Sequence, residues 1–258
     1  MGIGLQHLIL KENNNQTSLT LSVGLNSISL SVYDLPSGEL IKFDKSNFNN
    51  PLSIDNMLSE LKDILSNNEL DLKKFENIKL LQQNNLSIIV PNDLYSEKQK
   101  RTYLKYNTQI RDDDFIAVDN LNNLKIKNIY IPYININNYL VDIFKNIEYF
   151  HYDTELLKKL YGIRRNEVFF VHVDNRQIKI IVFENDKLIF FNSYEIDNTT
   201  DIIYYVLLVL KEKKFNVNKT EIIYINDYEY DDLSNISDKF FGNHKILNQN
   251  YVGDFLHS

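Results

Sequence analysis

Residues 167–194, EVFFVHVDNRQIKIIVFENDKLIFFNSY, decide how this chain folds. Glu167–Val173, Gln177–Phe183 and Lys187–Tyr194 are rich in β-branched and aromatic side chains, which pack well on a pleated surface. Glu184-Asn185-Asp186 separates the last two runs. Asn and Asp tolerate the left-handed backbone of a tight hairpin, so these runs read as strands of an antiparallel meander. A helix over Thr200–Lys214 is expected next, capped by Asn198 or Thr199. It is basic in its last turn and apolar nearly all round, which implies that both of its faces are covered. Glu221–Ile225 is the following strand.

The same order stands upstream. Ser18–Val23 and Ser27–Tyr33 alternate polar and apolar residues, and Glu39–Phe43 follows the turn Leu35-Pro36-Ser37-Gly38. Ser53 then caps a helix over Ile54–Ser66, whose Ile54, Met57, Leu58, Leu61 and Leu65 share one face. Asn77–Leu81 and Leu86–Val90 read as short buried strands. The two copies agree in register: Val23 with Val173, Ile28 with Ile178, Leu30 with Ile180, Val32 with Val182 and Tyr33 with Phe183 are each 150 residues apart. Internal duplication is the expectation. Between the copies, Tyr95–Tyr106 and Ile136–Lys145 read as helices, and Phe115–Val118 and Leu124–Ile131 as strands.

Two copies of a three-stranded meander followed by helix, strand and helix resemble the two ribonuclease-H-like lobes of the actin and hexokinase fold. The expected fold class is therefore α/β, an actin-like ATPase fold. Residues 1–150 would form the N-terminal lobe with inserted strands and helices, and residues 151–258 the C-terminal lobe. A narrower resemblance is to an uncharacterised bacterial family, domain of unknown function 3822 (DUF3822). It is carried by Ile178–Tyr205, IKIIVFENDKLIFFNSYEIDNTTDIIYY, and by Leu86-Ser87-Ile88-Ile89-Val90-Pro91. The resemblance implies an actin-like fold and no particular activity.

Actin-type ATPases hold phosphates in the turns after the first strand of each lobe. A carboxylate there organises Mg²⁺, and glycine lets backbone N–H groups approach phosphate oxygens. The corresponding positions are degenerate in this chain. In the first lobe Ser22 replaces the carboxylate, while Gly24 and Asn26 follow. In the second, His172 stands at the acidic position, Asp174 at the glycine, and Asn175 next. These six residues are expected to line a cleft without catalysing anything. The later turn Ile225-Asn226-Asp227-Tyr228, where a nucleoside would lie, has no glycine. No catalytic residue, metal site or cofactor is expected. The acidic run Asp227, Glu229, Asp231, Asp232 lacks the glycine and spacing of a calcium loop and reads as a solvated turn feeding a helix. Arg111–Asp114 reads as a solvent-facing loop.

Composition narrows the function classes. The absence of cysteine excludes disulfides and thiol nucleophiles and suits a cytoplasmic protein. The net charge of −7, with only short basic clusters, disfavours nucleic acid as a partner. The longest apolar run, Ile202–Leu210, falls well short of a membrane span. What remains is a non-catalytic scaffold or adaptor for an unidentified protein partner, with a degenerate ATPase or small-molecule binder as the alternative. Tyr130, Tyr133 and Tyr139, in a proline-interrupted aromatic segment, and Phe255 and Leu256, near the chain end, are the candidate interaction surface, because aromatic side chains offer wide contact area at low entropic cost.

Overall fold

The computed structural model describes residues 17–68, 70–75, 78–144, 146–164 and 167–247. Phe255 and Leu256 lie outside them. The first lobe begins with a meander of β1 (Thr17–Gly24), β2 (Ser27–Asp34) and β3 (Leu40–Asn47), followed by α1 (Ile54–Asn67) and β4 (Ile78–Gln83). An insertion follows: β5 (Ser87–Pro91), α2 (Lys100–Lys105), β6 (Ala117–Leu121) and β7 (Ile126–Tyr130). The lobe closes with α3 (Ile134–Ile143) and β8 (Ile147–His151), and α4 (Tyr152–Ile163) leads out of it. The second lobe holds β9 (Glu167–Asp174), β10 (Gln177–Glu184), β11 (Lys187–Glu195), α5 (Thr199–Glu212), β12 (Ile222–Asn226), α6 (Leu233–Phe240) and β13 (His244–Leu247).

The duplication extends to topology. The five-stranded sheets run β3-β2-β1-β4-β8 and β11-β10-β9-β12-β13, and the inserted three-stranded sheet runs β5-β7-β6. In each large sheet the meander is antiparallel, while β1-β4-β8 and β9-β12-β13 are parallel. The two lobes are thus an α/β fold repeated.

Local chemistry explains the element ends. The Ser53 hydroxyl accepts from the Asn56 N–H at 3.2 Å and starts α1. Asn198 and Asp201 form a reciprocal capping box at α5. Asn185 and Asp186 both take positive φ, at 47° and 64°, which closes the β10–β11 hairpin. Gly242 serves a close approach: a Cβ there would stand 2.6 Å from the Asn218 carbonyl oxygen and 2.9 Å from its Cα. Gly242→Ala is therefore expected to destabilise by about 1–3 kcal/mol through overpacking. Thermal unfolding measures it, and an unchanged midpoint would mean that the Asn218 backbone yields freely.

Each large sheet has its own core. Leu19, Leu21, Leu30, Met57, Leu61 and Leu140 fill the first. Phe169, Val171, Ile180, Val206 and Tyr224 fill the second. A third cluster joins the lobes: Leu81 from β4, Leu121 and Ile126 from the insertion, Leu156, Leu157 and Leu160 from α4, and Phe170, Ile181, Phe183 and Ile225 from the second lobe. Full burial of a side chain of this size contributes roughly 1.5–3 kcal/mol, so parting the lobes across this cluster would be very unfavourable.

Several expectations need correction. Tyr95–Tyr106 is not one helix but a 3₁₀ turn, Glu97–Gln99, followed by the six-residue α2. β8 and α4 were not anticipated, because a strand of mixed polarity and a helix buried on polar as well as apolar faces show little periodicity. α5 is not covered on every side, since Tyr204 is 59% exposed. Tyr130 and Tyr133 are buried and do not form an interaction surface. The Tyr130 hydroxyl donates to Asp119 at 3.3 Å and that of Tyr133 to the Gln83 carbonyl at 2.9 Å, so both rings serve the interior. Tyr139 is half-buried against the first core, with the Lys62 ammonium 4.9 Å from its ring centre.

Candidate functional site

β1 and β9 occupy equivalent places in the two sheets, and the ends of both approach the junction between the lobes. At the end of β1, Gly24 lies against β4: a Cβ there would be 3.1 Å from Gln83 Cβ and 3.2 Å from the Gln83 carbonyl oxygen. Glycine thus lets β4 bring Gln83 close, and the Gln83 amide donates to Asp174 Oδ2 at the end of β9. Asp174 Oδ1 accepts from the Asn175 N–H at 2.8 Å. The Asn175 amide donates to the Phe48 carbonyl just beyond β3, at 3.0 Å.

Lys45 completes the crossing. Its side chain reaches from β3 to the second lobe, where Nζ donates to the Asp227 carbonyl at 2.9 Å and lies 3.7 Å from Asp174 Oδ1. The Lys45 and Asp174 side chains are only 15% and 3% exposed, so this pair is little screened by water. The junction is therefore occupied by the chain's own ammonium, amide and carboxylate groups.

Behind this layer, His172 is completely buried on the β9 face that turns toward the joining cluster. Its Nε2 is 2.9 Å from Asp227 Oδ2 and 3.0 Å from the Tyr152 hydroxyl, and that hydroxyl donates to Asp227 Oδ2 at 2.7 Å. A carboxylate only accepts, so Nε2 carries the hydrogen facing it. Nδ1 has no hydrogen-bond partner. Burial alone would raise the Asp227 pKa, but the Lys45 ammonium and the His172 ring outweigh it and hold the carboxyl well below its usual range. Burial, reinforced by Asp227, raises the Tyr152 hydroxyl well above its ordinary value.

A second buried pair lies alongside. Lys179 on β10 donates to Asp153 in the first turn of α4, and the two side chains are 1% and 3% exposed. His151 Nδ1 accepts from the Asp153 N–H at 3.2 Å and so caps α4, and its Nε2 lies 3.1 Å from the Asn84 carbonyl. Desolvation of the fully buried ring lowers the His151 pKa to about 4. For Asp153, desolvation works upward, but the Lys179 ammonium and the neighbouring His151 ring prevail, and its pKa is lowered.

Of the six expected cleft positions, Gly24, Asp174 and Asn175 meet at the junction and His172 lies directly behind. Ser22 is buried within the first sheet, between Ser29 and Leu81. Asn26 Oδ1 is without a hydrogen-bond partner, and no side-chain hydrogen bond joins Asn26 to the second lobe among the described residues. Sequence reasoning missed Lys45, Gln83, His151, Tyr152, Asp153 and Lys179. It also placed Asp227 in a solvated turn, whereas its side chain is 17% exposed and bonded to His172 and Tyr152. Lys179 carried a legible signal, being a charged residue inside the apolar run Ile178–Phe183. Among the described residues no group of three or more His, Cys, Asp or Glu side chains is placed to hold a metal ion. No helix among them is long and apolar enough to cross a membrane.

The geometry has clear parallels. A protein of unknown function with an actin-like ATPase fold, from Bacteroides thetaiotaomicron, superposes with a TM-score of 0.80 at 20% identity, covering 98% of this chain and 100% of that one. The PilM–PilN type IV pilus biogenesis complex matches with a TM-score of 0.56 at 11% identity over 92% of this chain and 89% of that one. The ethanolamine utilization protein EutJ from Carboxydothermus hydrogenoformans matches with a TM-score of 0.51 at 11% identity over 93% and 88%. At these identities the likeness is one of fold: two lobes of the actin-like ATPase type. No curated protein matches the chain. The profile of the family described as "Protein of unknown function (DUF3822)" matches residues 9–244, and the chain belongs to that family.

Proposed function

We propose that the protein is a non-catalytic scaffold or adaptor of the cytoplasm that keeps the actin-like shape without nucleotide and binds a protein partner. The same reading divides the chain near residue 150, where β8 gives way to α4. The observation that carries it is the bridge of Lys45 to Asp174 and the Asp227 backbone, at the place where an actin-type ATPase would hold phosphates. A bound nucleotide and its metal neutralise one another between the lobes. Here an internal ammonium, Lys45, already stands beside the two carboxylates of Asp174 and Asp227, and the three groups together carry a net negative charge. Lys45 can offset only one of the two carboxylates, and a phosphate about 4 Å from the other would be repelled by roughly 4 kcal/mol per unit charge at an effective dielectric of about 20, on the order of a thousandfold in affinity. Partner binding draws support from the PilM–PilN structure, a similar fold in complex with another protein.

Calorimetric titration with Mg-ATP, ADP and nucleosides tests the proposal. No heat of binding is expected. Micromolar, magnesium-dependent binding would overturn it and favour the rival, a degenerate ATPase or small-molecule binder using Gly24, Asn26, His172 and Asn175.

A further inference from the structure

β11 and β5 are terminal strands of their sheets. In an antiparallel pair, residues alternate between those that exchange backbone hydrogen bonds with the neighbour and those that direct their N–H and C=O away from it. The two-residue hairpin Asn175-Arg176 makes Asp174 and Gln177 a bonded pair, so Gln177, Lys179 and Ile181 turn their backbone groups to β9. Ile178, Ile180 and Val182 therefore face β11, where they stand opposite Tyr194, Asn192 and Phe190. The residues between, Phe191, Ser193 and Glu195, direct their backbone groups outward. The bond from the Ile196 N–H to the Arg176 carbonyl, 3.1 Å, agrees with this parity.

The same reasoning orients β5. The Ile131 N–H donates to Leu86 at 3.0 Å and the Asn92 N–H to Lys125 at 2.9 Å, so the even-numbered residues face β7 and Ser87 and Ile89 face outward. The two outward-facing edges border one groove of about 360 Å³, lined by Phe191, Ser193 and Glu195 on one side and Ser87 and Ile89 on the other. Gln177 and Asn85, also in its lining, are bonded to each other at 2.8 Å across the lobes. On the β5 side, the Ser87 carbonyl is already taken by the Asn107 amide at 2.7 Å. On the β11 side, the outward groups of Phe191, Ser193 and Glu195 make no backbone hydrogen bond among the described residues. Glu195 is the groove's charged residue, is exposed, and forms no ion pair among the described residues.

We propose that an extended segment of a partner protein adds to the outer edge of β11 as a further strand, lying in this groove with a Lys or Arg opposite Glu195. An open row of alternating donors and acceptors is complementary to a polypeptide backbone, and the unpaired carboxylate in an acidic protein selects a cation. The proposal deepens the scaffold reading and rests on it. Nucleotide titration tests that reading separately, so the two can fail independently.

The test is to pan a random twelve-residue peptide display library against the full chain and to synthesise the enriched peptides. Enriched sequences should carry a basic residue. Their binding should slow hydrogen exchange at the Phe191, Ser193 and Glu195 amides. Ser193→Pro removes one outward N–H and no bond to β10, and should weaken binding at least tenfold, and clearly more than Ser193→Ala, which keeps that N–H. Should the proline variant not fold, N-methylation of alternate peptide residues, with the protein unaltered, should give the same loss. The proposal is overturned by failure to enrich peptides, by binding indifferent to N-methylation, or by these amides being protected in the free protein. If removal of residues 248–258 relieved that protection, the edge would be covered by the chain's own end and not by a partner.

Discussion

Lys179→Ala is expected to destabilise the protein by about 3–5 kcal/mol, because it leaves the Asp153 carboxylate buried and uncompensated. Lys179 and Asp153 are both almost fully enclosed, and the ammonium also lies 4.9 Å from the centre of the Tyr152 ring. Urea unfolding at neutral pH measures the loss. The pair itself need not be stabilising, since burying two charges carries a desolvation penalty close to their mutual attraction. Lys179→Met with Asp153→Leu should therefore be less damaging than either substitution alone. Additive losses in the double variant would instead mean that packing, and not the stranded charge, accounts for the effect.

Acidification from pH 6.5 toward pH 4 should destabilise the protein through His151 by roughly 3 kcal/mol. The ring takes up a proton near its ordinary value of 6.5 when unfolded, but only near 4 when folded. Within that window the unfolded chain binds more protons, so stability rises with pH, by up to about 1.4 kcal/mol per pH unit. Asp153 extends the loss downward. Its folded pKa is depressed, so its contribution is complete above the unfolded carboxylate value and disappears as pH falls through the folded one. His151→Asn retains an acceptor able to cap α4 but loses the contact of the ring with Tyr130, 5.1 Å between centres. The variant should be less stable at neutral pH yet show a flatter pH dependence between 6.5 and 4, by about one proton. An unchanged slope would mean that some other group is responsible.

The site was less legible than the fold for a definite reason. His172 and Asp174 are in a strand whose alternation can be read, so their position at the lobe junction follows from the duplication. Lys45 was invisible because nothing in Lys42-Phe43-Asp44-Lys45 distinguishes a lysine that crosses to the other lobe from one in water. Asp227 was misread because an acidic run after a strand is normally solvated. Here α4 brings the Tyr152 hydroxyl to it from 75 residues away. The tyrosines were misjudged on similar grounds: composition advertises contact area but does not say whether the contact is internal, and Tyr130 and Tyr133 spend theirs on the core.

Taken alone, the order of residues determined the repeated meander, the hairpin at Asn185-Asp186, the α1 cap and the family, and narrowed the α5 cap to Asn198 or Thr199, because each is carried by neighbours within a few positions of one another. Tertiary structure alone decided that Lys45 reaches Asp174, that Lys179 pairs with Asp153, that His151 is buried uncharged and that, among the described residues, the edge of β11 is open. The first three depend on which distant elements exclude water from a given charge, and the last on the order in which strands pair. The solvation energy of an ionisable group is set by everything around it, and a linear pattern records only what precedes and follows it.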